Sequence, residues 1–501
     1  MLKTLRKYLG LIAVCFALSV HAQNFEDTKR AAEQGDAAAQ YTLGKMYHDG
    51  QGVTQSDAEA LKWTRKAAEQ GNAKAQNNLG AMYARGQGIA QDQAEAIQWY
   101  HKAAKQGLAI AQHNLGAMYA NGWGITKDDV QAMQWYRKAA EQGDADAQNS
   151  LGAMYATGQG VAKSDQQALF WYRKAAEQNN SKAQNDLGVM YGTGQGVAKD
   201  EKQAVFWYRK GAEQGNAVAQ KNLGIMYDLG QGVALDCAQA VYWFRKAAEQ
   251  GEPVAQNYLA YMYREGRGVA KDGKQAVYWL RKAADQGYAA AQNSLGVMYK
   301  DGSGITQDYA QAFYWYRKAA EQGNAYAQNN LGYMYREGLG TAKDEKQSIS
   351  WYRKSADQGY VNAQANLGYM YELGIGVAQD YAQAIFWNRK AAEQGLSAAQ
   401  YNLGNMYAKG EGVAQDYAEA AKWYQKAAAQ GDPDAQAALD WIAAYGDNTA
   451  QDYGDTGSTG GGHRRPDNRP SGGINSRPPP PPQGTPMPKP QVTITPAPGS
   501  K

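Results

Sequence analysis

The side chains best equipped for chemistry are few and scattered. Beyond residue 22 the histidines are His48, His101, His113 and His463. No two stand three or four residues apart, the spacing at which a helix turns two imidazoles toward one metal. Cys237 is alone once Cys15 is set aside, so no intramolecular disulfide is available. No Gly-x-Ser-x-Gly turn presents a nucleophile, and the Ser-x-x-Lys, Ser-Asp-Asn and Lys-Thr-Gly elements of serine acyl transfer are missing. Gly-x-Gly recurs, as at Gly86 and Gly88, but without the preceding strand and following Lys-Ser or Lys-Thr of a phosphate cradle. A helix stop and tight turn is the better reading. No catalytic residue, cofactor or metal is expected.

The side chains suited to binding are clustered. Tyr261 stands with Arg264 and Glu265, Tyr333 with Arg336 and Glu337, and Tyr369 with Glu372. Tyr and Arg are over-represented among residues that dominate binding energy, so the stretch from about Ile225 to Leu373 is the candidate protein-binding site. The alternative is a set of solvated residues pairing Arg with Glu along the array. Trp123, inside one Gly-x-Gly, is a second candidate anchor. An aromatic column, Phe170, Phe206, Tyr242, Tyr278, Tyr314 and Phe386, suggests packing between repeats on an outer layer.

These residues hang on a strict frame. Ala-Gln recurs from Gln40 through Gln76 and Gln112 to Gln436, always 36 residues apart. A period of this size specifies a helical solenoid whose units bury their apolar faces by stacking. In residues 72–107, one helix is expected from Ala73 to Ala84 and a second from Asp92 to Gln106. Asp92 with Glu95 forms a capping-box pattern, and Gly107 suits the left-handed exit from a helix. Leu79, Met82 and Tyr83 share one helical face and recur in every unit, as does Trp99 of the second helix. They are core. Gly80 and its equivalents sit inside the first helix, where Gly costs about 1 kcal/mol against Ala; close approach of a neighbouring helix explains them. The opposite face of that helix, Lys74, Asn77, Asn78, Ala81, Ala84 and Arg85, varies between units and is free for a partner.

The string AQNNLGAMYARGQGIAQDQAEAIQWYHKAAKQG resembles the Sel1-like repeat, a 36-residue relative of the tetratricopeptide repeat. The resemblance covers residues 36–431 as eleven units. It implies an all-α, right-handed α-solenoid of paired antiparallel helices, used as a protein-binding scaffold through the concave face of the first helices. In the related tetratricopeptide family an Asn before the Leu-Gly pair holds peptide backbone. The matching positions here include Asn330 and Asn366, while Asp186 and Tyr258 depart from the pattern. Exported bacterial members act as envelope adaptors, including ones associated with glycan or peptidoglycan, or engage host proteins. A β-lactam-binding or β-lactam-hydrolysing enzyme is the alternative taken from cysteine-rich members, whose regular Cys pairs are missing here.

The ends differ from the array. Residues 1–22 read as a signal peptide: Lys3, Arg6 and Lys7 precede an apolar run from Leu9 to Val20. Residues 23–35 and 432–445 read as capping helices. Residues 446–501 are rich in Gly, Ser and then Pro, a composition that cannot bury a core and reads as a disordered tail or spacer. The formal charge of +4 includes three charges of the leader and two of the tail, leaving −1 on the array. A near-neutral array is a poor attractor of nucleic acid or anionic membrane. The expectation is a periplasmic or secreted monomer that binds a protein or peptide, with no membrane span.

Overall fold

The structure is a computed structural model that describes residues 24–449, with side chains to residue 444. The leader and the Pro-rich tail lie outside the described residues. Within these bounds there are 24 helices, and no strand occurs among the described residues. The first helix spans 24–33. Repeats then follow in which a helix A pairs with a helix B, as Ala73–Arg85 with Gln93–Lys105. Contacts divide the chain into a first unit ending at Trp243 and a second beginning at Phe244.

In both units the apolar column of helix A is sealed. Leu79, Leu115, Leu151 and Leu187 in the first unit, and Leu295, Leu331 and Leu367 in the second, are fully buried. Each such side chain contributes about 1.5–3 kcal/mol of burial. The helix-A glycine makes room for this packing. A Cβ on Gly152 would lie 2.7 Å from the ring of Tyr172, and one on Gly332 would lie 2.9 Å from that of Tyr352. The one repeat with Ala at this place, Ala260, has Leu280 where most others carry the tyrosine. In the tyrosine repeats the intruder is thus the aromatic ring, and Ala260 occurs where Leu280 replaces it.

The Gly-x-Gly turn is a stacking device. Gly86 and Gly88 both have positive φ, 71° and 67°. A Cβ on Gly88 would meet the Asp57 carbonyl oxygen at 2.5 Å, so each turn sits against the first turn of the preceding helix B. Asn179 takes the place of glycine at one helix exit with φ 64°, a conformation Asn tolerates.

Only half of the expected capping box forms. Asp92 Oδ1 accepts from the amides of Ala94 and Glu95. Its own amide donates to the Tyr83 carbonyl at 2.9 Å, a tertiary bond that displaces the reciprocal Glu95 contact.

Hydrogen bonds tie the repeats. Gln106 Nε2 donates to Gln76 Oε1 at 2.7 Å, and Gln76 Nε2 donates to the Ala68 carbonyl at 3.1 Å. The second unit repeats this relay at Gln358, Gln328 and Ala320. From Gln40 to Gln400 the Gln of the Ala-Gln pair is therefore a buried, satisfied amide joining a helix A to the helix B before it. An arginine two places beyond most helix-B Trp residues adds a second tie, Arg137 to Tyr155 Oη at 2.7 Å and Arg245 to Tyr263 Oη at 2.8 Å.

Candidate functional site

Helix A places its ninth, twelfth and thirteenth residues on the side away from the leucine column. In the second unit these are Tyr261, Arg264 and Glu265; Val297, Lys300 and Asp301; Tyr333, Arg336 and Glu337; Tyr369, Glu372 and Leu373; and Asn405, Ala408 and Lys409. Arg264 Nε donates to Glu265 Oε1 at 2.6 Å while its guanidinium lies 5.4 Å from the centre of the Tyr261 ring. Arg336 does the same with Glu337 at 2.7 Å and Tyr333 at 5.4 Å. The acid is thus the next residue of the same helix, not one in a neighbouring repeat. Cation–π contact and ion pair together hold the cation against the helix.

Two phenols lie beneath this layer. The twelfth residue of helix A covers the helix-B tyrosine of its own repeat; at Gly192 even a single Cβ would come within 3.7 Å of Tyr208 Oη. Where that residue is Lys300 or Arg336, Tyr316 and Tyr352 are 0% exposed and their hydroxyls have no hydrogen-bond partner. Burial pulls the Arg336 guanidinium down, but Tyr352, Glu337 and Tyr369 outweigh that and hold it above its ordinary value. Burial pushes the Tyr352 phenol up, opposed by Arg336. The side chain of Arg336 is 16% exposed. Its Nε is used by Glu337, so its terminal nitrogens remain for an incoming acceptor. Glu372 is raised by burial and by Glu411, with Lys409 opposing.

The structure thus brings Tyr333, Arg336, Glu337 and Tyr369 into one electrostatic neighbourhood. Tyr261, Arg264 and Glu265 form a separate copy two repeats earlier. Asn330 and Asn366 are corrections. They are 2% and 4% exposed and donate to Asn293 and Asn329 at 3.0 and 2.9 Å. Asn114 bonds Asn77 in the same way at 2.9 Å. This column is another inter-repeat tie, so the free face of helix A is narrower than its periodicity suggests. Trp123 is 52% exposed. The aromatic column of helix B is also corrected: its six rings are 45–48% exposed. Each instead packs edge-on against the Trp beside it in its own helix, as Phe170 on Trp171 at 5.0 Å.

The sequence reading passed over Lys300 with Asp301, and over Tyr316 and Tyr352. Lys300 Nζ lies 2.6 Å from Asp301. It stands in the arginine column, which was the signal available. The phenols looked like ordinary core because their pairing with helix A is a tertiary fact. No group of three or more His, Cys, Asp or Glu that could hold a metal occurs among the described residues.

The family model described as Sel1 repeat matches eleven consecutive segments, from residues 37–72 through 397–432. The chain belongs to the Sel1 repeat family. Among solved Sel1-type structures, it is similar to c5321, a protective antigen of uropathogenic Escherichia coli strains with an SLR fold. That match has 39% identity and a TM-score of 0.66, and covers 88% of this chain and 99% of that one. A Sel1 repeat protein from Oxalobacter formigenes matches at 36% identity with a TM-score of 0.46, covering 62% of this chain and 90% of that one. No curated protein matches. Sel1 repeat proteins are scaffolds, typically protein-interaction modules.

Proposed function

We propose that this Sel1 repeat protein is exported and recruits a protein partner through the helix-A row of its second unit, as an envelope adaptor or a host-interaction factor. The observation that carries the reading is the run Arg264, Lys300 and Arg336, three successive cations each held by the acid beside it. At two of the three, an unpartnered phenol lies beneath. Arg336 keeps its terminal nitrogens for an incoming acceptor, and hydrogen bonds from a charged donor are the strong ones. The fitting partner is a peptide segment presenting carboxylates and backbone carbonyls, with apolar side chains to lie on Tyr261, Tyr333 and Tyr369. Preorganised side chains keep the ordering cost of binding small.

Two features support export: the basic-then-apolar leader, and the likeness to a protein described as a protective antigen. The test is affinity capture with the chain from Gln23 onward, from envelope extract in one arm and host secretions in the other. A parallel bait carries Ala at Tyr261, Arg264, Tyr333, Arg336 and Tyr369. A protein retained by the native bait and lost by the variant supports the site. Equal retention moves binding elsewhere on the scaffold.

A further inference from the structure

The first repeat breaks a rule that the rest of its unit keeps. Tyr100, Tyr136, Tyr172 and Tyr208 lie on the helix-A glycines Gly80, Gly116, Gly152 and Gly188. In the first repeat the glycine is Gly44, but the residue above it is Thr64, whose Oγ1 would meet a Cβ on Gly44 at 2.6 Å. The other departures in this column, Phe244, Leu280 and Asn388, are longer side chains, and Leu280 is accompanied by Ala260. Thr64 leaves most of the volume of a phenol ring unfilled. A cavity of about 230 Å³ results, bounded by the helices Ala37–Asp49, Asp57–Glu69 and Ala73–Arg85.

The lining is polar and convergent. Lys45, His48 and Asp49 come from one helix at i, i+3 and i+4, and Asn78 and Arg85 from the next, two turns apart on one face. Thr64 forms the floor. His48 Nδ1 lies 2.8 Å from Asp49, so the acid is engaged within its own helix. Lys45 and Arg85 make no ion pair or hydrogen bond among the described residues. A guanidinium offers a planar fork and an ammonium a mobile point charge, a combination suited to an oxyanion. At about 30 Å³ per water the cavity holds roughly seven waters, the size of a small metabolite.

We propose that this cavity binds a small free anion bearing a carboxylate or phosphate group. Arg85 and Lys45 hold the oxyanion, Asn78 and Thr64 supply hydrogen bonds, and the His48–Asp49 pair accepts a hydroxyl or amine of the same molecule. The site lies in the first unit and does not depend on the partner-binding row of the second.

Isothermal titration of the chain from Gln23 onward, once with inorganic phosphate and once with succinate, tests it. Binding of either probe with saturation below about 10 mM, tenfold above a millimolar Kd, is expected, and which probe binds tells phosphate from carboxylate chemistry. Thr64→Tyr restores the ring the later repeats carry. It should weaken binding at least tenfold while leaving the thermal midpoint unchanged or higher. Arg85→Ala and Lys45→Ala, both at exposed side chains, should each weaken binding several-fold, and they decide the matter if Thr64→Tyr fails to fold. Saturation by neither probe overturns the proposal. So does binding that a folded Thr64→Tyr chain retains in full, or, where that chain does not fold, binding indifferent to both alanines.

Discussion

The two units use one scaffold to make two different helix-A faces. In the middle four repeats of the first, the ninth and twelfth places are Ala81 and Ala84, Ala117 and Ala120, Ala153 and Ala156, and Val189 and Gly192. The tyrosines beneath, Tyr100, Tyr136, Tyr172 and Tyr208, are 5–7% exposed. In the second, Lys300 and Arg336 cover Tyr316 and Tyr352 completely. The leucine column, the glutamine relay and the arginine–tyrosine ties are common to both. One column of side chains therefore turns the small, uncharged places of those four repeats into charged ones while the fold stays the same. Solenoids permit this because each repeat contacts only its neighbours.

The common scaffold gives the largest predicted effect. Leu151→Ala in the first unit and Leu331→Ala in the second should each cost about 2–5 kcal/mol, measured by denaturant unfolding of the array. A large difference between them would break the claim that the interiors are equivalent. Next, Arg336→Ala should weaken capture of the partner by about 30-fold or more, the loss of a hot spot worth at least 2 kcal/mol. Ala156→Ser, at the same place in the first unit, should leave it unchanged. Equal effects would mean that the charged row is not the binding face.

Smaller effects sharpen the role of the tyrosine. Gly152→Ala should cost about 2 kcal/mol by overpacking Tyr172. Adding Tyr172→Leu should recover much of it, because the pair then copies Ala260 with Leu280. Lack of recovery would show that the backbone, not the ring, sets the limit. Last, burial raises the Tyr136 phenol to about 12, with its hydrogen bond to Ser150 opposing. A folded-state value above the unfolded one near 10 means the contribution is complete below pH 10 and is lost as pH rises toward 12. Stability should fall by about 1.4 kcal/mol per pH unit across that window. Tyr136→Phe should reduce the slope, as read from unfolding midpoints between about pH 10 and 12.

Much of the site was legible in the same columns as the fold. Tyr261, Arg264, Tyr333 and Arg336 stood out because their columns vary while Leu79 and Met82 and their equivalents do not. Lys300 was missed because its ninth-place neighbour is Val297 rather than tyrosine. Asn330 and Asn366 were misplaced because periodicity gives the direction of a side chain but not the depth of the neighbouring helix. An Asn on the flank of helix A faces either solvent or another Asn, and only the stacking distance decides.

The sequence by itself determined the period, the helix pairs, the leucine and tryptophan core, and the glycine at each turn. These follow from spacing along one chain, where a helix repeats every 3.6 residues and the array every 36. Only the tertiary structure decided which residues meet between helices: Gln106 with Gln76, Asn330 with Asn293, Gly332 with Tyr352, and Thr64 with the space above Gly44. Those pairings depend on how closely two helices approach, which is set by the volumes of all the side chains between them.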